Sequence, residues 1–152
     1  MKYKQALKSF KKKNICPFCN EKPQNMLEIH EHFYVIPARA PYVPHHLLIV
    51  PQRHVLLLWQ LSQKEIKSLH QLVDKRTKKL HKIHKEVNRL LRDCVINNLV
   101  SPKGDKSVSH LHFHLIPDCP IGWEWPSNGP DRKFFEDKEY TKIAKDIKKL
   151  FI

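Results

Sequence analysis

Apolar and polar positions follow two different periods along this chain. Apolar side chains recur at Ile66, Leu69, Leu72, Val73, Leu80, Ile83, Val87, Leu90 and Leu91. Steps of three, four and seven put them on one face of a helix, and the run predicts a helix of about 25–30 residues. Its start is marked by Ser62, three residues ahead of Glu65, the pairing of a capping box. A shorter amphipathic helix is expected over residues 1–13, with Tyr3, Ala6, Leu7 and Phe10 on one side, and a last one near Glu139 to Phe151. Strand character marks His32 to Pro37, His46 to Val50 (closed by Pro51), Val95 to Val100, and Val108 to Ile116, which alternates strictly from Ser109 to Leu115. Pro37, Pro41 and Pro44 mark a loop, Ser101 to Asp105 a turn, and Pro117 to Arg132 a second loop. Strands with hairpin-type turns and one long helix predict an α+β fold with an antiparallel sheet. Nothing repeats internally, so residues 1–152 read as one domain, with a basic helical extension at 1–13 and a C-terminal extension at 118–152.

Composition narrows the class. A chain of 152 residues, 41% hydrophobic, has enough apolar mass for one core and is not a disordered polymer. Its apolar runs fall short of the roughly 20 residues that a membrane span needs. The basic start lacks the apolar centre of a secretory signal, so an intracellular, cytoplasmic protein is expected. The net charge of +13 fits nucleic acid, anionic lipid or phosphate-bearing substrates, and equally a solvated basic surface. No aromatics interleave with Lys11-Lys12-Lys13 to make a stacking platform for single strands.

The chemistry concentrates in two places. In a strand, residues two apart face the same way, so His110, His112 and His114 share a face about 6–7 Å apart. Leu111, Phe113 and Leu115 point to the opposite face, toward a core. An imidazole can attack phosphorus, forming a phosphoramidate and splitting one hard displacement into two easier ones. Neighbouring donors then steady the phosphoryl oxygens. The second place is Cys16-Pro17-Phe18-Cys19, whose spacing is that of a zinc knuckle. A redox pair or two structural thiols are the alternatives there, although no βαβ context follows.

The run His110-Leu111-His112-Phe113-His114-Leu115-Ile116 matches His-φ-His-φ-His-φ-φ, with φ apolar. On it the chain resembles the histidine-triad (HIT) superfamily. Pro44-His45-His46-Leu47-Leu48-Ile49-Val50-Pro51-Gln52-Arg53-His54 resembles that family's strand and turn of the form HxLxxPxxH, and the likeness spans residues 14 to 118. The resemblance implies a five-stranded antiparallel sheet with one long helix and a C-terminal helix, in a homodimer. It implies that His112 is the nucleophile toward an α-phosphate, that His114 and Ser107 contact phosphoryl oxygens, and that Asn97 or Asn98 stands in the phosphate loop. His46 falls near the nucleotide. Several branches of the family, and the related galactose-1-phosphate uridylyltransferases, bind zinc through an N-terminal Cys-x-x-Cys and two histidines. By position those ligands are Cys16, Cys19, His54 and His110, and four protein ligands make the Zn2+ structural.

The chain departs from the family before the triad. Where Gly-Gln-Ser is usual it has Gly104-Asp105-Lys106-Ser107, so Lys106 stands in place of a glutamine and offers a point charge to phosphate. Ala38 and Arg39 occupy the region where an acidic or amide residue often meets the ribose. Trp123 and Trp125 fall where family members shape the pocket. His70, His81 and His84 are expected on the solvated side of the long helix. The expected function is a nucleotide hydrolase or nucleotidyl transferase acting on a nucleoside phosphoramidate or dinucleoside polyphosphate through a His112-nucleotidyl intermediate. The competing function is a zinc-stabilised nucleotide- or RNA-binding module with little turnover.

Overall fold

The computed structural model describes residues 1–84, 110–117 and 132–151. The expected strand at Val95–Val100, Asn97, Asn98, Lys106, Ser107, Trp123 and Trp125 lie outside the described residues.

Four strands are found among the described residues: β1 (Glu28–Ile29), β2 (Phe33–Pro37), β3 (Leu47–Pro51) and β4 (Phe113–Leu115). They form one antiparallel sheet in the order β1-β2-β3-β4. The two-residue β1 carries no hydrophobic pattern and was not legible in the sequence. β2 and β3 are apolar throughout because both faces of the sheet are covered. Phe33, Val35, Leu47 and Ile49 enter the main core, while Tyr34, Ile36, Leu48 and Val50 enter a second cluster under Phe18 and Met26.

Helix α2 (Gln63–His81) begins at the expected cap. Ser62 Oγ accepts from the Glu65 N–H at 3.2 Å, and Glu65 Oε1 accepts from the Ser62 N–H at 2.9 Å. The helix is shorter than its apolar period suggested. It stops at His81, and Ile83 N–H and His84 N–H both donate back to Leu80 O, at 3.0 and 2.8 Å. Ile66 and Ile83, placed on the buried face by the period, are 40% and 43% exposed. The face that packs on the sheet includes Arg76 and Thr77 as well as Leu72 and Leu80. Arg76 is buried there because it pairs with Glu28 of β1, whose carboxylate also accepts from Lys75 at 2.9 Å. A reading of apolar spacing alone does not register a charged residue buried by its partner.

Helix α1 (Tyr3–Lys13) ends on Asn14, whose left-handed φ of 52° suits a residue that closes a helix. Its start is pinned to the C-terminal segment. Tyr3 N–H donates to Arg132 O at 2.8 Å, Phe134 N–H donates to Met1 O at 2.9 Å, and Lys2 and Lys133 form a β-bridge. Ala6, Ala40 and Phe134 pack together there, with Tyr3 and Phe10 against them. Helix α3 (Asp137–Leu150) starts two residues before Glu139 and buries Tyr140, Ala144 and Ile147. The Tyr140 hydroxyl donates to Pro37 O at 2.7 Å, tying this helix to the end of β2.

Candidate active site and metal centre

The histidine row is positioned by its apolar reverse side. Leu111, Phe113 and Leu115 are almost wholly buried in the main core. Full burial of such side chains contributes about 1.5–3 kcal/mol each, enough to fix which way the segment faces. The register Leu48↔His114 sets the histidines on the same side of the sheet as the second cluster. Among the described residues 110–117 regular pairing covers Phe113–Leu115; Val108 and Ser109 of the expected Val108–Ile116 strand lie outside the described residues. The register of Ile49 with Phe113 brings Leu111 opposite Pro51, which has no N–H to extend the ladder. Leu111 N–H donates instead to Val55 O at 2.8 Å.

His110 and the cysteine knuckle meet at this irregular end. His110 Nε2 lies 2.8 Å from Pro51 O. A carbonyl only accepts, so Nε2 carries the proton and a neutral ring leaves its lone pair on Nδ1. That Nδ1 lies 3.5 Å from Cys16 Sγ and 3.4 Å from Cys19 Sγ. Cys19 Sγ lies 3.1 Å from His54 Nδ1. One ligand atom from each of Cys16, Cys19, His54 and His110 lies within 4.8 Å of the others. Burial, the Cys16 hydrogen bond and its charge push the Cys19 thiol up to about 11. A Cys19 thiolate is therefore favoured there only with a cation beside it. Burial also lowers the His110 pKa, against the opposing pull of Pro51 O. A deprotonated imidazole whose other nitrogen is held by a carbonyl is the form in which histidine binds a metal. The donor set fits a tetrahedral S2N2 ion.

The ends of this centre are braced. Asn20 Nδ2 donates to Cys16 O at 2.8 Å, and the Tyr34 hydroxyl donates to Phe18 O at 2.6 Å. Arg53, next to His54, grips Glu65 through Nε and Nη2 at 2.8–3.2 Å. That guanidinium, helped by the Ser62 capping bonds, holds the Glu65 carboxyl down at about 2 although burial pulls it the other way. The cap of α2 thus also anchors the turn that carries His54.

The other two histidines of the row face a cleft. His112 Nδ1 lies 2.8 Å from His110 O, so Nδ1 donates and a neutral ring has its lone pair on Nε2. His46 is 2% exposed, and burial, then Arg132 and His112, hold its pKa down at about 3. It is neutral, and its Nδ1 accepts from Tyr42 N–H at 3.3 Å. Its Nε2–H therefore donates to His114 Nδ1 at 2.9 Å. Burial, then His112, His46 and Arg132, also keep His114 neutral. With Nδ1 accepting, His114 carries its proton on Nε2. The cleft so meets the ring of His112 beside an N–H donor on His114.

The cleft is small, with a volume of ≈ 60 Å³. One end is apolar, lined by Pro17, Phe18, Ile36, Ala38 and Leu48; the other is lined by Tyr3, Ala40, Arg132 and Phe134. Phe18, between the two cysteines, packs its ring 5.0 Å from that of His112 and 5.8 Å from that of His110. A single aromatic inside a Cys-x-x-Cys turn, and Arg132, 18 residues after the triad, gave no signal in the sequence.

The structure brings together every described residue of the expected site: Cys16, Cys19, His54 and His110 at the metal end, His46, His112 and His114 in the cleft. His84 departs from expectation. It lies beyond the end of α2, and its Nε2 is 2.8 Å from Nδ1 of His45, a residue at φ 66°. His70 and His81 are on the exposed side of α2 as expected.

The HIT domain model matches residues 19–120. The chain belongs to the HIT-domain family. An uncharacterized HIT-like protein of Chlamydia muridarum (strain MoPn / Nigg) is 31% identical over 100 residues, covering 60% of this chain and 69% of the relative. Among solved structures, a hypothetical histidine triad nucleotide-binding protein of Sulfolobus tokodaii strain7 superposes with a TM-score of 0.56 at 17% identity, covering 96% of this chain and 91% of that one. Plasmodium falciparum diadenosine triphosphate hydrolase superposes with a TM-score of 0.57 at 15% identity, covering 98% and 95%. At these identities the likeness to both structures is one of fold.

Proposed function

We propose that this protein is a nucleotide hydrolase or nucleotidyl transferase working through His112. One observation carries the reading: His112 Nδ1 is tied to His110 O, which leaves the lone pair on Nε2 of a residue lining the cleft. The Nε2–P bond forms at the α-phosphorus as the bond to the leaving group breaks, and the electron pair departs on the leaving atom, which takes up a proton. Water, or another acceptor, then adds to phosphorus and the N–P bond breaks, returning the imidazole. His114 Nε2–H donates to a phosphoryl oxygen as charge builds. A neutral His114 suits that task because the His46 bond to its Nδ1 fixes its proton on Nε2. The nucleoside fits the apolar end beside Phe18. Ser107, Asn97, Asn98 and Lys106 are carried as phosphate contacts on the family pattern, and HIT members in general act on nucleotide ligands.

In the same reading Cys16, Cys19, His54 and His110 hold a zinc ion. Four protein ligands leave no open position, so the ion supplies rigidity and no chemistry on substrate. One domain over 1–152, a homodimer and a cytoplasmic setting complete the proposal.

The test is turnover of a fluorogenic adenosine phosphoramidate and of diadenosine tetraphosphate by wild type, His112→Ala and His112→Gly. Turnover by wild type alone, with adenylylated protein trapped on rapid quench, is the expected result. Turnover that survives in both variants removes His112 as nucleophile. Tight nucleotide binding with no turnover and no adenylylated protein establishes the binding module instead.

A further inference from the structure

Neither the cleft nor the metal centre draws on the basic charge that opens the chain. Residues 1–18, ahead of the HIT match, carry Lys2, Lys4, Lys8, Lys11, Lys12 and Lys13 and no Asp or Glu. On α1 the helical period gathers Lys4, Lys8, Lys11 and Lys12 into one arc of about 100°, and puts Tyr3, Ala6, Leu7 and Phe10 on a separate one. All four lysines of the arc are exposed, and none of them pairs with an acid among the described residues. We propose that this arc is a docking surface for the phosphate backbone of a double-stranded nucleic acid, bound without regard to sequence. The proposal goes beyond the chemistry assigned to His112 and does not depend on it.

The arc is held in shape by the rest of the fold. Ala6 is buried, and the rings of Tyr3 and Phe10 lie 6.5 and 5.9 Å from that of Phe134. The backbone bonds to Arg132 O and from Phe134 N–H fix the start of the helix, and Asn14 closes its end. Helices α2 and α3 carry exposed lysines too, but theirs are answered by acids. Lys75 pairs with Glu28 at 2.9 Å, Lys78 with Asp74 at 2.9 Å and Lys149 with Asp146 at 3.9 Å. Helix α1 has no acid of its own, so its lysines repel one another until an anion neutralises them.

Charge spacing selects the partner. From Lys4 to Lys12 the helix axis covers about 12 Å. Over that length a duplex presents about seven phosphates and one strand about half as many. No aromatic side chain stands on the arc to stack an unpaired base. A basic helix lying on a membrane buries its apolar side in lipid. Here that side is already covered by Phe134. Met1 and Ile15, 54% and 40% exposed, stand beyond opposite ends of the helix and outside the arc. The surface therefore offers charge without an apolar wedge, which is what sequence-independent backbone binding uses.

The experiment measures binding of the full chain to a short DNA duplex, to an RNA duplex and to a single strand of the same length by fluorescence anisotropy, and to anionic phospholipid vesicles by cosedimentation, over a range of salt. Wild type is expected to bind at least one of the duplexes, with log K falling against log salt at a slope of about −3 or steeper. The variant combining Lys4→Gln, Lys8→Gln, Lys11→Gln and Lys12→Gln is expected to bind about 100-fold or more weakly at low salt and to lose most of the slope. Glutamine matches lysine in helix propensity, so α1 should persist, and thermal melting checks it. A control combining Lys64→Gln, Lys67→Gln, Lys78→Gln and Lys82→Gln removes the same charge from α2 and should lose about threefold or less. Where the fourfold α1 variant does not fold, the pairs Lys4→Gln with Lys8→Gln and Lys11→Gln with Lys12→Gln should each remove about half of the slope. The proposal is overturned by no binding to either duplex, by equal losses in the two fourfold variants, by a single strand held as tightly as the duplexes, or by vesicles bound in their place. His112→Ala should bind duplex as wild type does; a loss there as large as in the α1 variant places the nucleic acid in the cleft and also overturns the proposal.

Discussion

The two ends of the histidine row are built from the same residue and arranged for opposite purposes. At one end His110 turns its Nδ1 toward Cys16 and Cys19 and gives its other nitrogen to Pro51 O. At the other, His112 gives Nδ1 to a backbone carbonyl, while His114 takes a proton donor on Nδ1 and carries its own proton on Nε2. What each imidazole can do is decided by the partner of its second nitrogen. One end converges the ligand atoms of Cys16, Cys19, His54 and His110; the other sets the His112 ring beside the N–H of His114, the pair assigned above to attack and to phosphate contact. Phe18 stands between them and touches both, so the metal end supports the wall of the cleft without entering it.

The largest effect expected of any single change separates the ends by activity. His112→Ala should lower turnover by about a thousandfold or more, the scale of losing a nucleophile, with thermal melting nearly unchanged. Melting by calorimetry beside the rate measurement checks it; a melt that falls with the rate shows that the ends are not separable. The mirror experiment acts on stability. Cys16→Ser, or a strong chelator, should remove the bound ion and cost about 4 kcal/mol where metal stands about a thousandfold above its Kd. Elemental analysis and melting together read it, and protein purified without metal yet equally stable would sink the metal centre.

A third change probes the brace of the metal end. Glu65→Ala removes both the Arg53 grip and half of the capping box, and should cost about 2 kcal/mol. It should also weaken metal retention against a competing chelator more than it weakens nucleotide binding. Equal weakening would mean that the Arg53–His54 turn serves both ends.

The smallest effect is a pH slope that belongs to the cleft end. The buried His46 has a folded pKa near 3, below its ordinary 6.5. The folded state then disfavours the protonated form, so this contribution is full above pH 6.5 and declines as pH falls toward 3. The slope reaches about 1.4 kcal/mol per pH unit for one proton. Glu65 adds its own loss lower down, between its ordinary 4.5 and about 2. Denaturant midpoints at pH 7, 6 and 5 should therefore fall in wild type and fall less in His46→Gln; parallel curves refute the assignment.

The strand that carries the row, the cap at Ser62 and the Cys-x-x-Cys turn were all legible in the sequence because each is a local rule. Alternation, an N-cap pair and a short spacing need no knowledge of the rest of the chain. The buried face of α2 was not fully legible, since Arg76 is buried only by reaching Glu28 on another element. Nor were Phe18 and Arg132 as parts of the cleft. Arg132 is brought there by the Tyr3 N–H bond to its carbonyl and by the neighbouring Phe134 N–H bond to Met1 O, which join residues more than a hundred positions apart.

By itself the sequence determined that three imidazoles share a face with apolar residues behind them, because a period of two allows nothing else in an extended segment. Only the tertiary structure decided how the three differ. The proton on each ring goes where a carbonyl, an amide or another imidazole lies within hydrogen-bonding distance, and those partners come from Pro51, His110, Tyr42 and His46. Distance in space sets the tautomer, and the tautomer separates a ligand from a nucleophile and a donor.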